Sequence, residues 1–106
     1  MKDASEGRGS ALTARQRKRL RGLAHALKPV VHVGEAGLSE AVVKATDAAL
    51  EAHELIKVRL HDPEDKKAAA AELAEGSGAA LCGLVGHTVI LYRAHPDEPT
   101  IRLPKR

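Results

Sequence analysis

Aromatic side chains are almost missing from this sequence. The 106 residues include no Phe, no Trp and a single Tyr, Tyr92. A folded core must therefore be built from Leu, Val, Ile and Ala. Many modules that bind single-stranded RNA stack the bases on aromatic rings, so the composition disfavours a reader of that class. A nucleic acid could be held only by backbone amides, guanidinium planes and contacts to phosphates.

Cysteine and long apolar runs are also scarce. Cys82 is the single cysteine, so the chain can form no internal disulfide, which fits a reducing compartment. No apolar run approaches the roughly 20 residues that a membrane span needs, and the polar first ten residues lack the apolar stretch of a signal peptide. We therefore expect a cytoplasmic protein with no membrane partner. In its apolar strand, Cys82 is expected to be a small core residue rather than a nucleophile.

Acidic residues are missing from one long stretch. No Asp or Glu lies between Glu6 and Glu35, whereas from Glu35 to Glu75 ten acids face five bases. The last eight residues carry three bases and no acid. The bases of the acid-free stretch are Arg8, Arg15, Arg17, Lys18, Arg19, Arg21 and Lys28. The net charge of +3 is small, but this segregation of charge indicates a polyanionic partner.

The pattern of caps, apolar spacing and turn residues predicts seven elements. Thr13 and Gln16 form a capping box that opens a first helix, and Pro29 ends it. Residues 1–11 read as a flexible tail, and residues 12–104 as one domain. Further helices are predicted over 39–53 and 62–75, and strands over 30–33, 55–60, 79–85 and 88–93. The order α-β-α-β-α-β-β predicts an α/β fold (an α+β sandwich), in which helices pack on a mixed four-stranded sheet.

A short glycine loop joins the first strand to the second helix. Gly34, Glu35, Ala36 and Gly37 form a G-x-x-G sequence, which lets a sugar-phosphate chain approach the backbone closely. The start of the next helix would add amides and a positive dipole end. On spacing alone, an ordinary strand-to-helix turn is the commoner meaning of two such glycines. Glu35 at the tip also disfavours phosphate.

The first helix supplies a second candidate surface. Leu20, Leu23, Ala24 and Leu27 form its expected apolar stripe at helical spacing. Arg17, Arg21 and Lys28 then fall on one flank, and Arg15, Lys18 and Arg19 on the solvated side. Each base that meets a phosphate adds salt-dependent affinity. The alternative is a merely solvated face, which is weakened here because no acid is interspersed.

No pattern of residues typical of catalysis or metal binding is found. The six histidines form no i, i+4 pair and no ligand cluster with Cys82, and neither a Walker loop nor a nucleophile elbow is present. A spatial triad stays open, since its members need not be close in sequence. We expect no enzyme activity, cofactor, metal or small-molecule substrate.

Four segments taken together resemble one known family. They are residues 20–31, 33–39, 53–58 and 86–93. Over about residues 12–104 the chain resembles the YhbY-type CRM domain (chloroplast RNA splicing and ribosome maturation). The resemblance implies a fold similar to the C-terminal domain of translation initiation factor 3. It also implies RNA binding through the glycine loop and the first helix. Glu35 and His87 depart from the family pattern.

The resulting hypothesis is an RNA-binding protein. Stand-alone bacterial members of that family are associated with precursors of the large ribosomal subunit, so the resemblance implies a ribosome assembly factor acting on precursor ribosomal RNA. The alternative is a protein-interaction module that docks on an acidic, ribosome-associated partner. A monomer is expected. The predicted RNA-binding residues are Arg15, Arg17, Lys18, Arg21, Lys28, Gly34, Glu35, Ala36, Gly37 and Arg93.

Overall fold

The computed structural model describes residues 12–105, which form three helices and four strands in the predicted order. The elements are α1 (Ala14–Ala24), β1 (Val31–Val33), α2 (Glu40–His53), β2 (Leu55–Leu60), α3 (Lys66–Ser77), β3 (Ala80–Val85) and β4 (Thr88–Tyr92). The predicted tail over residues 1–11 lies outside this description. Within residues 12–105, no helix has both the length and the apolar character needed to cross a membrane.

The four strands form one mixed sheet, as predicted. Their spatial order is β1-β2-β4-β3, with β1 parallel to β2 and the other two pairs antiparallel. Leu55 pairs with Tyr92 at one end of the sheet. At the other end Val33 pairs with Leu60, and Arg59 pairs with Thr88. The glycine loop after β1 therefore lies at the end of the sheet that carries Arg59.

The two faces of the sheet support separate apolar cores. On one face, α2 and α3 pack against the sheet, and Leu50 and Leu73 are completely buried there with Val58 and Val89. On the other face, α1 buries Leu20 and Ala24 against a cluster containing Leu55, Cys82, Ile90 and Tyr92. Cys82 is thus a core residue, as predicted. Burial raises the pKa of its thiol to about 11, which favours the protonated thiol at neutral pH.

Side-chain caps set the helix starts. The hydroxyl of Thr13 accepts the Gln16 N–H at 3.0 Å, and the Gln16 amide oxygen accepts the Thr13 N–H at 2.9 Å, which confirms the capping box. Ser39 caps α2, as predicted. The predicted start of α3 at Asp62 is wrong. Asp62 has a φ of 44° and lies in a turn, and Asp65 caps the helix by accepting the Ala68 N–H.

The first helix ends earlier than predicted. It stops at Ala24 instead of running to Pro29. The Leu27 N–H bonds back three residues to the carbonyl of Ala24, and the Val30 N–H already bonds to the Lys57 carbonyl in β2. The helix therefore ends before Pro29, because the following residues pair with β2. Leu23 inside the helix and Leu27 beyond its end are 37% and 39% exposed, so neither belongs to the buried stripe.

A buried carboxylate anchors the C-terminal segment. Glu54 follows α2 with a φ of 65° and is 3% exposed. Its oxygens accept the N–H groups of His95 (2.7 Å), Thr100 (2.9 Å) and Ile101 (3.0 Å). Beyond this anchor, Ile101 and Leu103 pack against the core under α1. Residues 95–105 thus stay on the α1 side without forming a strand.

Candidate functional site

The α1 face of the sheet is only partly covered by its helix. Along β2, Leu55, Lys57 and Arg59 point to this face, while Ile56 and Val58 point to the opposite core. Leu55 is buried under α1, but Lys57 is half-buried and Arg59 is exposed. Two cationic side chains therefore occupy sheet positions that the helix leaves open.

These positions form a cleft of about 280 Å³ beside the end of α1. Its lining residues are Arg21, His25, Pro29, Lys57, Arg59, Val85, Thr88 and Ile90. We call it the basic cleft, because three permanent cations line it together with a histidine and no carboxylate. Such a concave surface of one charge sign attracts polyanions.

Arg21 is held in place at the edge of the basic cleft. Its Nη1 donates to the carbonyl of Cys82 at 3.0 Å. Its stem crosses Gly83, where an added Cβ would lie 2.9 Å from the Arg21 Cδ. Gly83 sits at an irregularity in the pairing of β3 with β4. The missing side chain at Gly83 therefore makes room for Arg21 against the strand.

Arg59 also lines a second cavity, which we call the loop cavity. It has a volume of about 590 Å³. Its lining residues are His32, Val33, Gly34, Glu35, Arg59, Leu60, His61, Asp62 and His87. Two carboxylates, Glu35 and Asp62, offset the charge of Arg59 here. The basic cleft is thus the more favourable place for phosphate, with the loop cavity continuous to it through Arg59.

The glycine loop is a tight turn whose residues face different ways. The Gly37 N–H bonds to the Gly34 carbonyl at 3.0 Å, and Gly37 has a φ of 77°, which favours glycine. Gly34 and Glu35 line the loop cavity, while Gly37 lines a separate depression beside α3. Ala36 is exposed at the tip. The loop therefore offers one glycine, not two, to a ligand in the loop cavity.

The start of α2 is less open to an anion than the sequence suggests. The Ser39 hydroxyl already accepts the Val42 N–H at 3.3 Å. The first turn also contains Glu40, whose carboxylate complements the helix dipole. An incoming phosphate would compete with both groups.

The predicted bases of α1 do not act as one surface. Arg15 and Lys18 are exposed on the helix, whereas Arg17 is half-buried and donates to the Leu12 carbonyl at 2.6 Å. The longer helix predicted from the sequence would place Lys28 on the same flank as Arg21. In the structure Lys28 does not lie there. Because α1 ends at Ala24, Lys28 instead lines an apolar groove on the other flank.

Arg93 lies at the far end of the sheet from the glycine loop, next to the Leu55–Tyr92 pair. Its Nη1 lies 2.6 Å from a carboxylate oxygen of Asp47 and 2.7 Å from the Ser77 carbonyl. Its Nη2 donates to the Asp47 carbonyl at 3.1 Å. This guanidinium ties β4 to α2 and to the end of α3. A role of Arg93 in RNA binding stays a prediction.

Sequence reasoning missed Lys57 and Arg59, which lie outside the acid-free stretch. A signal was present, since β2 alternates apolar and cationic residues from Ile56 to Leu60. Leu55, Lys57 and Arg59 share one face, with apolar residues between them. The local sequence does not show that this face of β2 lies beside the end of α1.

Comparisons with known proteins show the family and the fold. The family model described as the CRS1 / YhbY (CRM) domain matches residues 12–93. The chain is 39% identical over 95 residues to "Probable RNA-binding protein YqeI" of Bacillus subtilis, covering 88% of this chain and 99% of that protein. It is 38% identical over 99 residues to an "RNA-binding protein" of Haemophilus influenzae, covering 92% and 99%. The solution structure of the hypothetical protein SAV1595 from Staphylococcus aureus superposes with a TM-score of 0.77 at 36% identity, covering 88% of this chain and 99% of that one.

Proposed function

The chain belongs to the CRS1/YhbY (CRM) domain family, and we propose that it binds structured RNA with the basic cleft as the principal phosphate contact. The observation that carries this proposal is the convergence of Arg21, Lys57 and Arg59 on a cleft without a carboxylate. Relatives named as RNA-binding proteins support the same class of partner. The scarcity of aromatic rings favours a folded RNA, which is recognised by shape and backbone, over a stacked single strand.

The finer proposal concerns which RNA is bound. The resemblance to stand-alone bacterial members of the family implies an association with precursors of the large ribosomal subunit, so we propose precursor ribosomal RNA as the ligand. The protein would act in the cytoplasm as a non-catalytic assembly factor. Crosslinking in cells, followed by sequencing of the attached RNA, tests this directly. We expect the reads to concentrate in large-subunit ribosomal RNA, and reads scattered over messenger RNA would contradict the finer proposal alone.

Docking on an acidic protein is the competing possibility, and ribonuclease separates the two. Under RNA binding, the protein should leave the ribosomal particles when a lysate is treated with ribonuclease before sedimentation. The Arg21→Gln/Lys57→Gln/Arg59→Gln variant should be absent from the particles even without ribonuclease. Retention of the wild-type protein after complete digestion of the RNA would favour the protein partner.

Gly83 provides a test of the cleft that leaves every charge in place. Gly83→Ala should displace the Arg21 stem from β3, because the new Cβ would lie 2.9 Å from Arg21 Cδ. We expect about fivefold weaker binding to an RNA hairpin, which corresponds to roughly 1 kcal/mol. Fluorescence anisotropy with a labelled hairpin measures it.

The control for this prediction is Gly76→Ala on α3. There the added Cβ would meet Val43 at an ordinary 3.8 Å, so RNA affinity should not change. In an Arg21→Gln background, Gly83→Ala should have little further effect, since the two changes act through the same side chain. Full additivity of the two losses would show that Gly83 does not act through Arg21.

A further inference from the structure

A second groove lies on the opposite flank of α1 from the basic cleft. It has a volume of about 470 Å³. Its lining residues are Leu23, Leu27, Lys28, Val30, His53, Leu55, Ile56 and Ile101. Leu23, Leu27 and Val30 are 37%, 39% and 51% exposed, and among residues 12–105 only Val85 joins them as an exposed large hydrophobic. We call it the apolar groove; a contiguous exposed apolar surface of this kind usually marks a binding site.

The permanent charge that lines the apolar groove is positive. Lys28 and the imidazole of His53 line the groove, and the exposed Arg102 follows the lining residue Ile101. No carboxylate lines it. Glu54, which neighbours His53 in the chain, is buried and accepts hydrogen bonds from the C-terminal segment. The groove thus combines an apolar floor with a cationic rim, which suits a flat uncharged group attached to an anionic chain.

The apolar groove is also adjacent to the basic cleft. Residues 25–30, which connect α1 to β1, separate the two. His25 and Pro29 line the cleft, while Leu27, Lys28 and Val30 line the groove. Lys57 fastens this connection to the sheet, because its Nζ donates to the Leu27 carbonyl at 3.0 Å. An RNA strand bound in the basic cleft would have only this connecting segment to cross before it reaches the apolar groove.

We infer that the apolar groove receives one unpaired nucleobase of the same RNA whose phosphates occupy the basic cleft. This inference rests on the proposed function and deepens it. Bases splayed out of bulges and loops are what proteins read in structured RNA, and they are usually stacked on rings. Here aliphatic side chains take the place of the missing rings, and Lys28 meets the adjoining phosphate. The preferred ligand is therefore a duplex interrupted by an unpaired nucleotide. An acidic protein segment would also match the rim, but its binding would not require a phosphate site next to the groove.

Two hairpins of equal duplex length test the inference with the full chain. One is fully paired, and the other carries a single bulged 2-aminopurine. Wild-type protein should bind the bulged hairpin roughly tenfold more tightly, which is near the low end for a stacked base. Binding should also change the 2-aminopurine fluorescence, because the base enters the groove.

The matched variants alter the groove without altering charge. Leu23→Gln/Leu27→Gln should lose the preference for the bulged hairpin and the fluorescence change, while its affinity for the paired hairpin stays at the wild-type value. Leu23→Met/Leu27→Met keeps apolar contact and should behave as wild type. If the glutamine variant fails to fold, Val30→Thr takes its place at the most exposed large hydrophobic residue of the groove, with an expected loss of about two- to threefold.

Three results would overturn the inference. Equal wild-type affinity for the two hairpins would show that the groove does not bind the unpaired base. The proposed function would be unaffected by that result. Undiminished discrimination by a folded glutamine variant would do the same, because the bulged base would then be bound outside the groove. Failure of the wild-type protein to bind either hairpin in dilute salt would remove the proposed function as well.

Discussion

Replacing Arg21, Lys57 and Arg59 together with Gln is expected to weaken binding to a structured RNA hairpin by about 100-fold near physiological salt, at roughly 1 kcal/mol for each lost phosphate contact. The three cations line one carboxylate-free cleft, so the same phosphates lose all three partners. The slope of log affinity against log salt should flatten by about one for each cation removed. Anisotropy titrations of a labelled hairpin at several salt concentrations measure both quantities.

The control removes the same charge from the other side of the sheet. Lys44, Lys66 and Lys67 lie on α2 and α3, which pack against the opposite face. Their replacement with Gln should change affinity only slightly and leave most of the salt dependence in place. If both triple variants lose affinity equally, net charge rather than the basic cleft governs binding. If the cleft variant binds like wild type, the proposed interface is wrong.

Replacing Glu54 with Gln is expected to destabilise the folded chain by about 3 kcal/mol at neutral pH. The buried carboxylate accepts three backbone N–H groups from His95, Thr100 and Ile101. A glutamine can accept only through its one oxygen, and it places an NH₂ group against the remaining donors. Glu54 also keeps a φ of 65°, a strained conformation that these hydrogen bonds must outweigh. Urea unfolding at pH 7 measures the loss, with the exposed Glu51→Gln as a control that should be neutral.

The effect of Glu54 should depend on pH in a defined direction. Burial alone would raise the pKa of its carboxyl, but the hydrogen bonds from His95, Thr100 and Ile101 outweigh it and lower the pKa from 4.5 to about 2. Because the folded pKa lies below the unfolded one, this stabilisation is complete above about pH 4.5 and disappears as the pH falls towards 2. The free-energy difference between wild type and Glu54→Gln should therefore shrink between pH 5 and pH 2, as a urea series would show. A constant difference across that range would mean that the carboxylate charge contributes nothing.

Sequence signals for helix starts were reliable where the capping hydrogen bond depends only on neighbouring residues. The box of Thr13 and Gln16 and the cap at Ser39 were read correctly, because each bond spans three residues. Asp62 failed as a cap because a second aspartate, Asp65, stands one turn later, and nothing local decides between them. The His61 N–H bonds to the Val33 carbonyl of β1, which holds the chain at the sheet just before Asp62. The helix can begin only after the chain has turned away.

The candidate site was only partly readable for the same reason. The excess of bases around Arg21 was visible, but the length of α1 was not, since it depends on the Val30–Lys57 bond to a strand that lies far along the chain. That single difference moved Lys28 from the flank of Arg21 to the apolar groove. The contacts of the Arg93 guanidinium with Asp47 and Ser77 were likewise not readable, since they join β4 to α2 and to the end of α3.

By itself, the sequence determined the aliphatic core, the segregation of charge and the order of helices and strands. These follow from composition and from short-range periodicity, which any folded form of the chain must respect. Only the tertiary structure decided that Lys57 and Arg59 stand beside Arg21, and that Leu23, Leu27 and Val30 form an open groove. The physical reason is that both surfaces arise where α1 stops short of covering the sheet. That boundary is set by hydrogen bonds between residues nearly thirty positions apart.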